Sequence, residues 1–245
     1  MINCLPLYEF ESKKTACLIF NAILKRQIGN RTPTVDYITD HPKIILSLLR
    51  GYLSKDIALN CGLMLRECLK YEALTQILIE TEEFYKLFEF IELPTFDIAS
   101  DAFASFETLL TKHKMFTASL FTESYDKMMG EFNKLLSSEN YVTRRQTLRL
   151  LVDLLSDPVN EEMKNRYLLG SDNLKVIMNL MRDSSKSIAS EAFHVFRAFL
   201  DHPMRSKAIQ DILTKNQEKI VTFIDNFIND CGILSYIVFR LMLTY

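Results

Sequence analysis

The chain has 245 residues, 48% of them hydrophobic and 24% charged, with a formal net charge of -2. Such a chain has the length and apolar content to bury a sizeable core, and its slight acidity argues against nucleic acid as the main partner, which would need a basic surplus on some face. Five cysteines (Cys4, Cys17, Cys61, Cys68, Cys231) are odd in number and without CxxC pairing, which excludes a disulfide framework and a zinc site and favours a reducing compartment.

The opening MINCLPLYEFESKK has no basic segment leading into a long apolar core, so it does not read as a secretory signal. Apolar residues then recur at helical spacing in ACLIFNAILKRQI (16–28) and IALNCGLMLRECL (57–69). Cys61 and Cys68 stand seven apart in the second of these, on one helix face, as small buried side chains would. Further helical stretches follow at 73–92, 96–110, 119–139, 142–154, 172–184, 187–200 and 210–227. Six glycines and six prolines are sparse punctuation, so the chain reads as mostly helix. The links between stretches (LPT, SSEN, SDPVNE, GSDN, RDSSKS, DHPM) are polar, and several place Ser, Thr, Asp or Asn where a side chain can cap a helix. The end, GILSYIVFRLMLTY (232–245), is apolar with Arg240 its one charge. It is too short to cross a bilayer and would favour aggregation if exposed. No apolar run reaches the length of a membrane span, so the expectation is a cytoplasmic protein.

FDIASDAFASFETLL at 96–110 and SIASEAFHVFRAFL at 187–200 are nearly the same phrase. Aligned on an apolar anchor, five phrases share it, with anchors Ala16, Ile57, Ile98, Val142 and Ile188. A small residue follows each anchor: Cys17, Ala58, Ala99, Thr143 and Ala189. Apolar residues stand eight positions on (Leu24, Leu65, Phe106, Leu150, Phe196) and twelve on (Ile28, Leu69, Leu110, Leu154, Leu200). Steps of four drift by only about 40° around a helix, so these positions share one face. The anchors are 41, 41, 44 and 46 residues apart, the period of HEAT and armadillo repeats. The predicted fold is therefore all-α, a curved α-α superhelix of stacked repeats over residues 1–230, followed by a divergent apolar tail at 231–245. Such stacks hold other macromolecules along an extended concave wall.

Catalytic and metal motifs are missing. There is no phosphate-cradling glycine loop, no GxSxG, no HExxH and no EF-hand loop, so neither an enzyme nor a calcium, metal or cofactor site is expected. Glu191 and His194 have the Glu-x-x-His spacing of di-iron bundles, but the second pair that such a site needs is missing. What remains is surface. Tyr141, Arg145 and Arg149 follow one another four residues apart, an aromatic beside two guanidiniums on one helix face. Spacing alone reads this as a solvated charged face sooner than as an interface. Lys215 and Lys219, also four apart, read by default as a solvated pair, with the capacity to hold a carboxylate. An adaptor for extended peptides is the alternative use of such a stack; that use calls for a ladder of Asn and Trp, and the chain has no Trp.

The wording of RQIGNRTPTVDYI, IALNCGLMLRECL, LPTFDIASDAFASF, LLTKHK, SENYVTRRQTLRLL, NLKVIMNLMRDSSKSI and EAFHVFRAFL closely resembles the calcium-binding protein 39 family, from about residue 8 to 230. The resemblance implies a helical-repeat scaffold that binds protein kinases and pseudokinases, including sterile-twenty-type kinases, and holds them active without catalysis. It implies a concave partner surface with Phe96, Tyr141 and Arg145, which turns the reading of the Arg145–Arg149 face towards an interface. It further implies an apolar pocket at Met178 and Leu174, near Lys215 and Lys219, for a Trp-Glu-Phe tail of a pseudokinase. Against the family pattern, the chain is expected to start after roughly two helical hairpins and to diverge beyond residue 230, as a truncated or alternative gene product would.

Overall fold

The structure is a computed structural model and describes residues 2–223; the apolar tail and Cys231 lie outside that range. In chain order the helices are α1 (Phe10–Leu24), α2 (Pro33–Asp40), α3 (Lys43–Arg50), α4 (Ala58–Cys68), α5 (Glu72–Glu80), α6 (Lys86–Ile91) and α7 (Phe96–Lys112). They continue as α8 (Lys114–Glu123), α9 (Tyr125–Leu136), α10 (Tyr141–Ser156), α11 (Glu161–Leu168), α12 (Ser171–Leu180), α13 (Lys186–Asp201) and α14 (Lys207–Lys215). The fold is all-α and built from helical repeats. The five repeated phrases are α1, α4, α7, α10 and α13, and each of the last four is preceded by two shorter helices.

The chain divides into two compact units, Met1–Glu131 and Phe132–Tyr245. In the first, α1 packs on α4 and α4 on α7, while α2 packs on α5 and α6 on α7. In the second, α13 packs on both α10 and α12, and α14 on α12. Residues next to the anchors are buried in all five copies, as are those eight positions on. The small residue is there because a neighbouring repeat helix comes close: the Cys17 thiol reaches the Asn60 carbonyl of the next copy at 3.7 Å.

Two expectations fail at single positions. Val142 is half-buried rather than core. Ile28 is 55% exposed, because α1 ends at Leu24 and Ile28 opens a tight turn. Reciprocal backbone bonds of 3.0 and 3.2 Å join Ile28 and Arg31, and Gly29 takes a φ of 61°, where a side chain is disfavoured. The linker segments also divide more finely than the hydrophobic pattern suggests. Residues 73–92 break after α5 at Glu82, which sits in the left-handed region at φ 54°, and residues 119–139 break at Ser124 between α8 and α9.

Capping is selective. The side chains of Asn140 and Ser206 accept from the backbone N–H of Val142 and Ile209 at the starts of α10 and α14, whereas Thr95 and Ser185 make no such bond. The carbonyl ends are treated more uniformly. The carbonyl twelve residues past the anchor accepts a side-chain bond in three copies: Leu69 from Thr75 at 3.2 Å, Leu154 from Asn160 at 3.0 Å, and Leu200 from Arg205. In the copy at α7 the acceptor is one position earlier, Leu109 with Thr117 at 3.5 Å. A buried helix end has carbonyls without intrahelical partners, and these donors satisfy them at the turn into the next repeat.

Candidate functional site

The α10 helix buries Thr143, Thr147, Leu150, Leu151 and Leu154, so the opposite line, Tyr141–Arg145–Arg149, is turned outward by helical geometry. Tyr141 is 43% exposed, Arg149 is exposed and Arg145 is half-buried. The Arg145 Nε approaches the Ser187 hydroxyl at 3.4 Å, and neither Arg145 nor Arg149 has a carboxylate partner among the described residues. Their neighbour Arg144 is wholly different. Its Nε and Nη2 both donate to Asp183 at 3.0 Å, and Nη1 donates to the carbonyls of Ser138 and Glu139 at 2.8 and 3.0 Å. Asp183 in turn accepts from the Ser185 backbone at 2.9 Å, so this pair fixes the loop before α13. Of the two adjacent arginines, Arg144 is held by an ion pair, and Arg145 meets only the Ser187 hydroxyl among the described residues.

Phe96 belongs to the first unit, where it is the first residue of α7 and 61% exposed. A phenyl ring left in water at a helix start contributes nothing to its own core.

Met178 lines a cavity of about 440 Å³ in the second unit. Met178, Met181, Phe196, Ile220 and Phe223 give it an apolar lining, and Arg182 and Lys219 supply its charge. Neither cation has a carboxylate partner among the described residues. The walls come from the end of α12, from α13 and from helical residues 217–223. Leu174 is fully buried in α12 and is not part of the lining; Lys215 is exposed in the last turn of α14 and is also outside it. Met181, Arg182 and Ile220 were not anticipated. Met181 and Arg182 stand three and four residues beyond Met178, so helical spacing would have found them. Phe196 reads in the sequence as a core position, and in the last repeated phrase that same ring forms the cavity floor.

Among the described residues, no group of three His, Cys, Asp or Glu side chains is placed to hold a metal ion. His194 is exposed on α13, and His113 bonds the Leu69 carbonyl at 2.9 Å, tying one repeat to the one before it. No helix among the described residues is long and apolar enough to cross a membrane. The described residues present outward aromatic and guanidinium groups on α7 and α10, and an apolar cavity with Arg182 and Lys219 in its lining.

Fold and surfaces together define a helical-repeat protein of the scaffold type. The chain belongs to the Mo25-like family, whose model matches residues 1–232. It is 48% identical over 227 residues to the human calcium-binding protein 39-like protein, covering 93% of this chain and 67% of that one. It is 46% identical over 230 residues to MO25-like protein 2 of Caenorhabditis elegans, covering 94% and 68%, and 40% identical over 230 residues to the Mo25-like protein of Schizosaccharomyces pombe, covering 94% and 70%.

Proposed function

We propose that this protein is a cytoplasmic, non-catalytic scaffold that binds protein kinases and pseudokinases and stabilises their active conformation. Phe96, Tyr141, Arg145 and Arg149 contact the kinase fold, and the Met178 cavity takes an aromatic, acidic peptide of the Trp-Glu-Phe kind, with Lys215 and Lys219 near its carboxylates. The observation that carries this reading is the cavity itself: a sulfur- and ring-lined floor suits large aromatic side chains, and Arg182 and Lys219 suit the carboxylates beside them. A scaffold activates a kinase only by binding its active state better than its inactive one, and each preference of about 1.4 kcal/mol shifts the population tenfold. The peptide contact acts as a tether that raises the effective concentration of the weaker kinase contact.

The test is binding to pseudokinases and sterile-twenty-type kinases by Arg145→Ala and Met178→Ala. Arg145→Ala, an outward hot-spot residue, should weaken binding by about 2 kcal/mol, and Met178→Ala should do so selectively for partners carrying the peptide. Far-UV circular dichroism should be unchanged in both. Unaltered affinity in both variants would refute the proposal.

A further inference from the structure

In the second unit, the half-buried Arg145 of α10 reaches across to Ser187, the second residue of α13, at 3.4 Å from Nε. Ser187 is half-buried, and the segment leading to it lies at the surface, with Arg182, Ser184 and Lys186 exposed. The start of α13 is poorly provided for. Its N-cap residue, Ser185, makes no side-chain bond to the free N–H groups, and its first turn holds no acidic side chain. The nearest acid in sequence, Asp183, is committed to Arg144 and to the Ser185 backbone N–H. A guanidinium without a carboxylate partner and an uncapped helix start therefore flank one hydroxyl.

We infer that Ser187 is a phosphorylation site whose phosphate takes Arg145 out of partner binding. A serine kinase transfers the γ-phosphoryl group of ATP to the Ser187 oxygen; ADP leaves, and the hydroxyl proton passes to the base of that kinase. A helix opens at its ends before its middle, so the first turn of α13 is the part that a kinase takes up in extended form. Lys186 directly before the hydroxyl and Arg182 five residues before it suit a kinase with an acidic substrate groove. Once attached, the phosphate carries a charge of about -2 and three acceptor oxygens. It lies within reach of the planar Arg145 fork and of the first N–H groups of α13, where the helix dipole favours an anion. Like charges four apart on a helix repel weakly, so Glu191, one turn further on, does not offset this pairing. The modified site stands apart from the scaffold reading, and its effect on partners rests on that reading. There it switches off the folded-domain contact and leaves the Met178 cavity untouched.

Three measurements on the full chain test this. Mass spectrometry of the protein isolated from its own cells should find phosphate on Ser187. In chain produced with phosphoserine at that position, phosphorus NMR should place the second ionisation of the phosphate below its ordinary value of about 6, and Arg145→Ala should bring it back. Affinity for the folded kinase or pseudokinase domain should fall roughly thirtyfold on phosphorylation, as for Arg145→Ala, with binding of a Trp-Glu-Phe peptide unchanged. Absence of phosphate from Ser187, or an ionisation that Arg145→Ala does not move, overturns the inference. So does a folded-domain affinity that phosphorylation leaves intact, or a peptide affinity that falls with it. If the unmodified chain binds neither the domain nor the peptide, the scaffold reading fails, and the first two measurements still decide whether Ser187 is modified and pairs with Arg145.

Discussion

Gly62 shows how one missing side chain makes room for a polar cluster in the first unit. The Tyr52 hydroxyl donates to Asp101 Oδ2 at 2.7 Å, and Arg66 donates to Oδ1 at 2.7 Å and to the Ser105 hydroxyl at 3.1 Å. Burial, and then the Asp101 charge, push the Tyr52 phenol well above its ordinary value, so it stays a donor. A Cβ at position 62 would lie 1.8 Å from Asp101 Oδ2 and 2.4 Å from the Tyr52 oxygen. Gly62→Ala therefore forces the carboxylate away from its partners. Helix propensity alone would favour alanine by about 1 kcal/mol, but disrupting a partly buried ion pair costs about 3 kcal/mol, so a net loss of about 2 kcal/mol is expected in urea unfolding. A gain in stability would show that the cluster rearranges without cost. None of this cluster is legible in the sequence, since Tyr52 and Asp101 lie 49 residues apart and Asp101 reads as an ordinary helix-surface acid. The Arg144–Arg145 pair fails for a related reason. The two are neighbours of the same residue type, and which of them is tied down depends on Asp183, 39 residues from Arg144.

At the scale of the helix, the repeat was legible because burial imposes it: the small residue after the anchor and the large one at offset eight are buried in each copy. The carbonyl-capping donors escape that logic. Thr75, Asn160 and Arg205 stand five or six residues past offset twelve and share no residue type, only the ability to donate to a helix end. Thr75 is fully buried, with its hydroxyl 3.2 Å from the Leu69 carbonyl and 3.3 Å from that of Tyr71. Thr75→Val keeps the shape and removes the donor. Loss of a hydrogen bond to a buried carbonyl costs about 1–2 kcal/mol, and the urea midpoint should fall accordingly at an unchanged slope. Thr75→Ser, which restores the hydroxyl, should recover most of the loss. An unaffected midpoint in Thr75→Val would mean that the carbonyl needs no partner. Ile28 is the complementary case, a position that obeys the apolar pattern and fails in the fold. Its helix had already stopped at Leu24, and the signal for that was the Gly29–Asn30 turn, which a hydrophobic alignment does not weigh.

For the molecule as a whole, the buried thiols set a limit on the alkaline side. Cys17, Cys61 and Cys68 are all essentially inaccessible. Desolvation pushes Cys61 and Cys68 up to about 12 from an ordinary 9.0, and raises Cys17 in the same direction. In the unfolded chain these thiols lose their protons near the ordinary value, while the folded chain keeps them. Between the two values the native state binds more protons, so stability is fully present below about pH 9 and declines as the pH rises towards 12. At about pH 10, Cys61 and Cys68 should each have removed on the order of 1 kcal/mol. Tyr52, also raised, acts in the same direction once its ordinary value of 10.0 is passed. The decisive measurement is a difference between two proteins. Urea midpoints at about pH 8 and about pH 10 are compared for the natural chain and for Cys61→Ala with Cys68→Ala. The double variant starts lower, because each alanine leaves a void, but it should lose less on going to the higher pH. Equal losses in the two proteins would mean that the thiols reach solvent and titrate in the folded state, which is incompatible with the packing of α1 on α4 described above.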